Sequence, residues 1–166
     1  MNKLIILSIL IFIFSVSCSK KDNKSSEFLK KYDKIRLISY NTHRDVYSSN
    51  YEPKIENDTV KIPNIKFIDN VILDKHFAEK ITEVLFSEEN ECVLADCYNP
   101  RHIILLYKQN KLVDFYEFCI ECGGSRQSKN VNFPEFSTDK GDKIIELFKE
   151  MKMKNNGEEN ENYKYF

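Results

Sequence analysis

Apolar and polar residues alternate with the period of a β-strand in several parts of the chain. The predicted strands are residues 35–40, 58–62, 65–73, 101–107 and 112–120. Residues 103–106 are apolar on both faces, which predicts a central strand. Residues 108–111 join the last two strands, with Gln109 and Asn110 as the candidate loop residues, and Asn110 tolerates a positive φ. These strands should therefore form a tight hairpin with a two-residue loop.

Two further segments carry the apolar spacing of an amphipathic helix. Asp74 is suited to cap the first helix, because its carboxylate can accept free backbone N–H groups, and the apolar face continues to about Phe86. Ser137 or Thr138 is suited to cap the second helix. The element order β-β-β-α-β-β-α predicts an α+β fold, in which a mainly antiparallel sheet of about five strands carries two helices packed on one face.

The N-terminal residues have a different character. The segment from Leu4 to Val16 is apolar apart from two serines, and it is shorter than the roughly 20 residues that a membrane-spanning helix needs. A basic start and small residues before Cys18 predict a signal peptide. The expected organisation is a signal peptide over 1–17, a polar tether over 18–27, one domain over 28–154 and a disordered tail over 155–166.

The run Ser15-Val16-Ser17-Cys18 resembles the lipobox of bacterial lipoproteins. It departs from that motif at Ser15, where Leu, Val or Ile is usual. The resemblance implies cleavage before Cys18 and attachment of lipid, including palmitate, to its thiol, which would anchor the protein to a membrane. Ser19 in place of Asp implies an outer-membrane location by the enterobacterial sorting rule. The alternative is an ordinary secretory signal in which Cys18 is incidental.

Four of the five cysteines lie close together in sequence, at Cys92, Cys97, Cys119 and Cys122. Strict pairing outward from a two-residue hairpin loop places Cys97 opposite Cys122. Structural disulfides are the favoured interpretation, because an exported protein meets an oxidising compartment and the number of cysteines in the cluster is even.

Two other chemistries remain open for the cysteine cluster. Four thiolates could bind zinc in a tetrahedral site, with His102 as a spare ligand. A redox Cys-x-x-Cys centre is the least favoured, because Cys119 is predicted to end a strand, whereas a redox cysteine begins a helix that lowers its pKa.

Three polar residues near the hairpin are candidate ligand contacts. In the strict hairpin register His102 faces Glu117, and this pair could bind a ligand or form a cross-strand ion pair. Arg126 follows Gly123-Gly124 and could join Arg101 in an anion site, because glycines leave backbone N–H groups accessible.

Composition narrows the function further. The formal net charge of −1 over 166 residues gives no reason to expect a nucleic-acid partner. An enzyme is not favoured, because no nucleophile, base and oxyanion site can be assembled from the sequence. The most economical expectation is a binding or structural module with a disulfide-stapled hairpin and no cofactor. A zinc-binding protein is the alternative, and a thiol-disulfide oxidoreductase is a remote one.

The segments CYNPRHIILLY and VDFYEFCIECGG together resemble a family of small bacterial lipoproteins. That family shares Cys-Tyr-x-Pro-Arg-His, an apolar strand, a hairpin and Cys-x-x-Cys. The resemblance covers about a quarter of the chain and implies a lipoprotein, but it implies no activity. The expected protein is therefore a cell-envelope lipoprotein attached to the membrane through Cys18, with its protein or small-molecule partner unidentified.

Overall fold

A computed structural model describes residues 23–41, 53–62, 66–88, 98–121 and 123–157 of the chain. Within these ranges the chain forms three helices and seven strands. The helices are α1 (Asn23–Leu29), α2 (Lys75–Phe86) and α3 (Thr138–Glu150). The strands are β1 (Lys34–Tyr40), β2 (Lys54–Glu56), β3 (Thr59–Lys61), β4 (Phe67–Ile72), β5 (His102–Lys108), β6 (Lys111–Phe118) and β7 (Ser125–Gln127).

Five of these strands form one antiparallel sheet in the order β4-β1-β5-β6-β7. Strand β5 is central, and its residues from His102 to Tyr107 are all buried, as its unbroken apolar sequence predicts. Strands β2 and β3 form a separate two-stranded sheet. The predicted α+β fold with a five-stranded antiparallel sheet is confirmed.

The hairpin between β5 and β6 has the predicted two-residue loop. Gln109 and Asn110 take φ values of 52° and 61°, the left-handed pair of angles that a type I′ turn requires. Lys108 pairs with Lys111 on either side of the loop. The turn chemistry read from the sequence is therefore confirmed.

A β-bulge changes the register of the same hairpin. Tyr107 pairs with Leu112, but the next pair is Leu106 with Asp114, so that Val113 is an extra residue on β6. A one-residue slip moves every later side chain to the other face of the sheet.

Two predictions depended on the strict register. Beyond the bulge His102 lies opposite Phe118, and Glu117 lies opposite Ile103. The predicted pairing of His102 with Glu117 is therefore wrong, and the two side chains project to opposite faces. The pairing of Cys97 with Cys122 loses its geometric basis for the same reason, although both cysteines lie outside the described residues.

The three helices pack on one face of the sheet. Asp74 caps α2 by accepting a hydrogen bond from the Phe77 N–H at 2.9 Å, and Ser137 caps α3 by accepting one from the Lys140 N–H at 3.3 Å. Both caps were predicted, and each typically contributes about 1 kcal/mol. The fully buried side chains on this face include Leu37, Ile81, Leu85, Leu106, Phe118, Phe136, Ile144 and Phe148.

The opposite face of the sheet is apolar as well. Ile38, Tyr40, Ile103 and Leu105 are buried there, and residues of the β2–β3 hairpin pack against them. The alternation along β1 therefore supplies two cores rather than one core and one solvated face. Strand β2 (Lys54–Glu56) was not among the predicted strands.

The ends of the domain extend past the predicted boundaries. Helix α1 begins at Asn23, inside the predicted tether, and its Ser25 is 4% exposed and hydrogen-bonded to Thr82 of α2. Residues 153–157, which we call the C-terminal strap, return to the sheet, and Asn155 is 5% exposed. Asn155 lies within the predicted disordered tail, of which residues 158–166 lie outside the described part of the chain.

Candidate functional site

Two polar clusters lie on opposite faces of the same end of the sheet. This end comprises the last residues of β1 and β6 and the first residue of β5. One cluster contains His102 on the helix-covered face, and the other contains Glu117 on the second face. The bulge in β6 separates them, since strict pairing would have placed the two side chains together.

The first cluster joins β1, β4, β5 and the C-terminal strap. The Ser39 hydroxyl donates to Asp69 Oδ2 at 2.6 Å, and Asp69 also accepts backbone N–H bonds from Lys154 at 3.0 Å and Asn155 at 2.9 Å. His102 Nε2 lies 3.1 Å from the backbone oxygen of Asn155. The side chains of these strands therefore hold the strap against the end of the sheet.

The hydrogen bond to Asn155 fixes the tautomer of His102. A carbonyl oxygen only accepts, so Nε2 carries the proton and Nδ1 presents a lone pair. Burial, with a smaller contribution from the Arg101 charge, outweighs the opposing effects of the Asn155 carbonyl and Asp69, and the net result lowers the pKa of His102 to about 4. The ring is therefore neutral at pH 7, with a lone pair rather than a proton at Nδ1.

The surroundings of Asp69 favour its charged form, whereas those of His102 favour the neutral form. Burial alone would raise its pKa, but the hydrogen bonds from Ser39, Asn155 and Lys154 and the nearby His102 outweigh burial and hold the pKa below its ordinary value. The carboxylate is ionised and serves as the acceptor that organises the strap.

Serine, histidine and aspartate thus meet in one place, but their connections are not those of a hydrolase triad. In a triad the histidine takes the serine proton and the carboxylate orients the histidine. Here Ser39 donates directly to Asp69, and His102 is bonded to the strap. Ser39 is 0% exposed, so that a substrate does not reach its hydroxyl. The arrangement is structural.

The second cluster surrounds the carboxyl group of Glu117, which is 0% exposed. Tyr40 donates to its Oε1 at 2.6 Å, and Tyr98 donates to its Oε2 at 3.2 Å. Arg126 of β7 lies opposite Glu117 of β6 in the strand register. Its guanidinium carbon lies 4.6 Å from the centre of the Tyr98 ring. The buried Glu117 carboxyl group therefore accepts hydrogen bonds from two tyrosine hydroxyls and is also influenced by the positive charge of Arg126.

Burial dominates the electrostatics of this cluster. It raises the pKa of Glu117, and the hydrogen bonds from Tyr40 and Tyr98 and the charge of Arg126 only partly oppose that effect. Burial and the Glu117 charge also raise the pKa of Tyr98 above its ordinary value, so that its hydroxyl remains a donor. The Tyr98 hydroxyl therefore stays protonated over the range in which Glu117 titrates.

Of the five cysteines, only Cys119 lies within the described residues; the predicted lipidation site Cys18 and the other cluster members Cys92, Cys97 and Cys122 lie outside them. Cys119 directly follows β6, which ends at Phe118 rather than at the predicted Ile120, and it is 1% exposed. It is disulfide-bonded, and its partner lies outside the described residues. Its N–H donates to the Gly124 oxygen at 3.1 Å, in a turn where Gly123 and Gly124 take φ values of 67° and 83°.

The predicted ligand contacts Arg101 and Arg126 have separate partners. Arg101 holds Glu121 with both arms, at 3.0 Å from Nη1 to Oε1 and 3.2 Å from Nη2 to Oε2, whereas Arg126 stacks on Tyr98. The Gly124 N–H donates to the Phe136 oxygen at 2.7 Å, so this amide is already used. The anion site at Arg101 and Arg126 stays a prediction, and the Gly124 N–H is not available as one of its donors.

Arg101 and His102 nevertheless border one small cleft beside the strap. Its walls are Asn99, Arg101, His102, Ile120, Glu121 and Gly157. The free interior volume of about 10 Å³ is on the scale of one water molecule.

Sequence reasoning singled out His102, Glu117 and Arg126 but missed the other members of the two polar clusters. Ser39 in β1 and Glu117 in β6 each lie between two large apolar or aromatic residues, and this is a usable signal, because a buried polar residue requires a partner. The identity of those partners, Asp69 and Tyr40, depends on strand order and could not be read from spacing.

Comparison with protein-family models, with curated proteins and with solved structures finds no match to this chain. In the part of the chain that the structure describes, none of the helices combines the length and apolar character needed to cross a membrane. Nor do three or more His, Cys, Asp or Glu side chains among these residues meet in a group that could hold a metal ion.

Proposed function

We propose that this protein is a lipid-anchored module of the bacterial cell envelope, attached to the outer membrane through Cys18, with a binding role for its disulfide-stabilised domain. The observation that carries the proposal is the disulfide at Cys119 in a chain that begins with an apolar, export-type segment. Disulfides persist in exported proteins and are rare in the reducing cytosol.

The position of Cys119 suits a structural disulfide. The sulfur-bearing residue is 1% exposed and directly follows the buried Phe118, so that a crosslink here restrains the open end of the β5–β6 hairpin. Removing a native disulfide from a small exported domain typically costs about 2–5 kcal/mol. A redox role is not supported by this setting, because Cys119 does not begin a helix and is shielded from a protein substrate.

The anchor is tested by Cys18→Ala in the native host or a related bacterium. The variant should lose incorporation of radiolabelled palmitate and move from the membrane to the soluble fraction, since its acyl chains are gone. Cys119→Ser is the matched control, because it also removes a cysteine but should stay on the membrane. Unchanged membrane attachment of Cys18→Ala would sink the lipoprotein proposal.

The disulfide is tested by the intact mass of the purified protein with and without reductant, together with metal analysis. Each bridge makes the non-reduced protein lighter by two hydrogens, and Cys119→Ser should remove one bridge. Four free thiols with stoichiometric zinc would contradict the proposal and assign the cysteine cluster to a metal site. Insulin-reductase turnover that disappears in Cys119→Ser would assign it to redox catalysis.

A further inference from the structure

Strand β4 forms one edge of the five-stranded sheet, and among the described residues no strand pairs with its outer side. It has six residues, whereas β7 at the opposite edge has three. Proteins usually guard a long edge with exposed charges or proline, because its free N–H and C=O groups are a template for another strand. The sequence of β4 contains no proline, and its one charged side chain, Asp69, is engaged by Ser39 and the strap. The edge is therefore open to pairing.

Two of the three exposed large apolar side chains among the described residues belong to β4. Phe67 is 50% exposed and Ile72 is 60% exposed, and the third is Val113 at 38%. Phe67 lies opposite Tyr40 and Ile72 lies opposite Arg36, so both project from the face of the sheet that carries the β2–β3 hairpin. The apolar residues of that hairpin pack against β1, β5 and β6. Each end of β4 therefore carries an uncovered apolar side chain on the same face.

The backbone groups that point away from the sheet belong to Asn70 and Ile72. The Leu73 N–H donates to the Ile35 oxygen at 2.9 Å, which fixes the residues of β4 that bond to β1. Successive residues of a strand direct their N–H and C=O groups to alternate sides. Asn70 and Ile72 therefore present theirs to the outer edge, and the side chains of both residues are exposed.

A second copy of β4 fits this edge when it runs antiparallel about a two-fold axis at Asn70. The axis is perpendicular to the sheet, so every side chain keeps its face, and Asn70 meets Asn70 of the second copy with its N–H and C=O directed at that residue. Ile72 of each copy then lies beside the start of the other β4, where Phe67 is exposed. The charges are also complementary, because Lys66 directly precedes β4 and Asp74 lies two residues after it.

We propose that two copies of this chain associate by antiparallel pairing of their β4 strands, which joins the two five-stranded sheets into one continuous sheet. The partner is a second copy because the outward backbone groups, the exposed apolar side chains and the charges at the two ends of β4 are all self-complementary. This inference goes beyond the proposed envelope role and does not depend on the lipid anchor.

The register is tested by cysteine crosslinking of the purified full-length chain in detergent micelles, with micelles in excess over protein. A hydrogen-bonded antiparallel pair holds its Cα atoms about 5.5 Å apart, within the range of about 4.4–6.8 Å that a disulfide spans. Mild oxidation should convert Asn70→Cys to a covalent dimer on a non-reducing gel. Asp142→Cys, at an exposed position of α3, is the matched control and should stay monomeric. Equal crosslinking of the two variants, or none in Asn70→Cys, would overturn the proposal.

A charge exchange at the two-fold axis separates pairing from folding. Asn70→Lys and Asn70→Asp each bring two like charges together and should weaken dimerisation in sedimentation equilibrium by about fivefold, the scale of a cross-strand pair. Both variants should keep the wild-type melting temperature, since Asn70 is exposed. An equimolar mixture of the two should dimerise again, because unlike charges then meet. A mixture that dimerises no better than either variant alone contradicts the proposal, as does a wild-type chain that is monomeric at every concentration.

Ile72→Thr tests the apolar part of the interface. It keeps a β-branched side chain and should weaken dimerisation by about tenfold, because each dimer loses apolar contacts at both ends of the paired strands. Val113→Thr is the matched control, since Val113 is exposed but lies outside β4, and it should leave dimerisation at the wild-type level. Equal effects of these two variants would show that the dimer forms elsewhere on the surface.

Discussion

Replacing Tyr40 with phenylalanine removes one of the two hydroxyl donors of the buried Glu117 carboxyl group and should destabilise the protein in a pH-dependent way. Tyr40 and Glu117 are 1% and 0% exposed, and 2.6 Å separates the Tyr40 hydroxyl from Oε1. Water does not replace the lost donor at this depth. Only Tyr98 and the charge of Arg126 would then oppose the effect of burial.

The expected cost depends on the charge of Glu117. Above its raised pKa the carboxylate loses a charge-assisted hydrogen bond, which is worth about 1.5–3 kcal/mol, whereas the protonated acid loses a neutral one worth about 1 kcal/mol. Because the folded pKa of Glu117 lies above its unfolded value, the folded state holds a proton that the unfolded chain has released. The contribution of Glu117 to the free energy of unfolding therefore falls as the pH rises from its unfolded pKa through its folded pKa. In the Tyr40→Phe variant the free energy of unfolding should decrease by more over the same range.

The assay is urea denaturation of the wild-type and Tyr40→Phe proteins between pH 5 and pH 9. Tyr107→Phe is the matched control on the same face, and it should change stability by no more than about 0.5 kcal/mol. In a Glu117→Gln background the pH dependence of the Tyr40→Phe effect should vanish. A Tyr40→Phe cost that is the same at both ends of the pH range, or as small as that of Tyr107→Phe, would refute the reasoning.

Two further predictions concern the C-terminal strap. The pKa of His102 falls from 6.5 to about 4 on folding, so the unfolded state binds more protons between these values and stability should decline by about 3 kcal/mol on acidification through that range. His102→Gln retains a donor for Asn155 and should lack this decline in acid titrations followed by circular dichroism; an identical decline would exclude His102 as its source. Gly157→Ala should cost about 1–2 kcal/mol in urea denaturation, because Gly157 has a φ of +86° and an added Cβ would lie 2.7 Å from Ile120 Cδ1; a neutral effect would show that this turn is not restrained.

Local signals in the sequence predicted much of the fold. Asp74 and Ser137 cap helices because their side chains satisfy free N–H groups within three residues, and Asn110 sets the hairpin turn through its own φ. Each of these interactions involves residues that are neighbours in sequence. They could be read without knowing the tertiary structure.

The parts that could not be predicted depend on contacts between distant residues. Val113 has the character of any strand residue, and nothing in its neighbourhood marks it as the bulge that moves His102 away from Glu117. Asn155 lies in a polar segment without periodicity, and it is ordered by Asp69, which is 86 residues earlier in the chain. Strand β7 has only three residues, and its pairing with β6 is visible only in the sheet.

The start of α1 at Asn23 has a consequence for how far the domain could stand from the membrane. Helix α1 is hydrogen-bonded to α2 through Ser25 and Thr82, so only the residues before Asn23 remain to link the domain to the proposed anchor. The chain from Cys18 to Asn23 spans at most roughly 18 Å when fully extended. On the proposed anchoring, the domain works beside the lipid headgroups, and its partners must be small enough to diffuse there or must themselves lie on the same membrane surface.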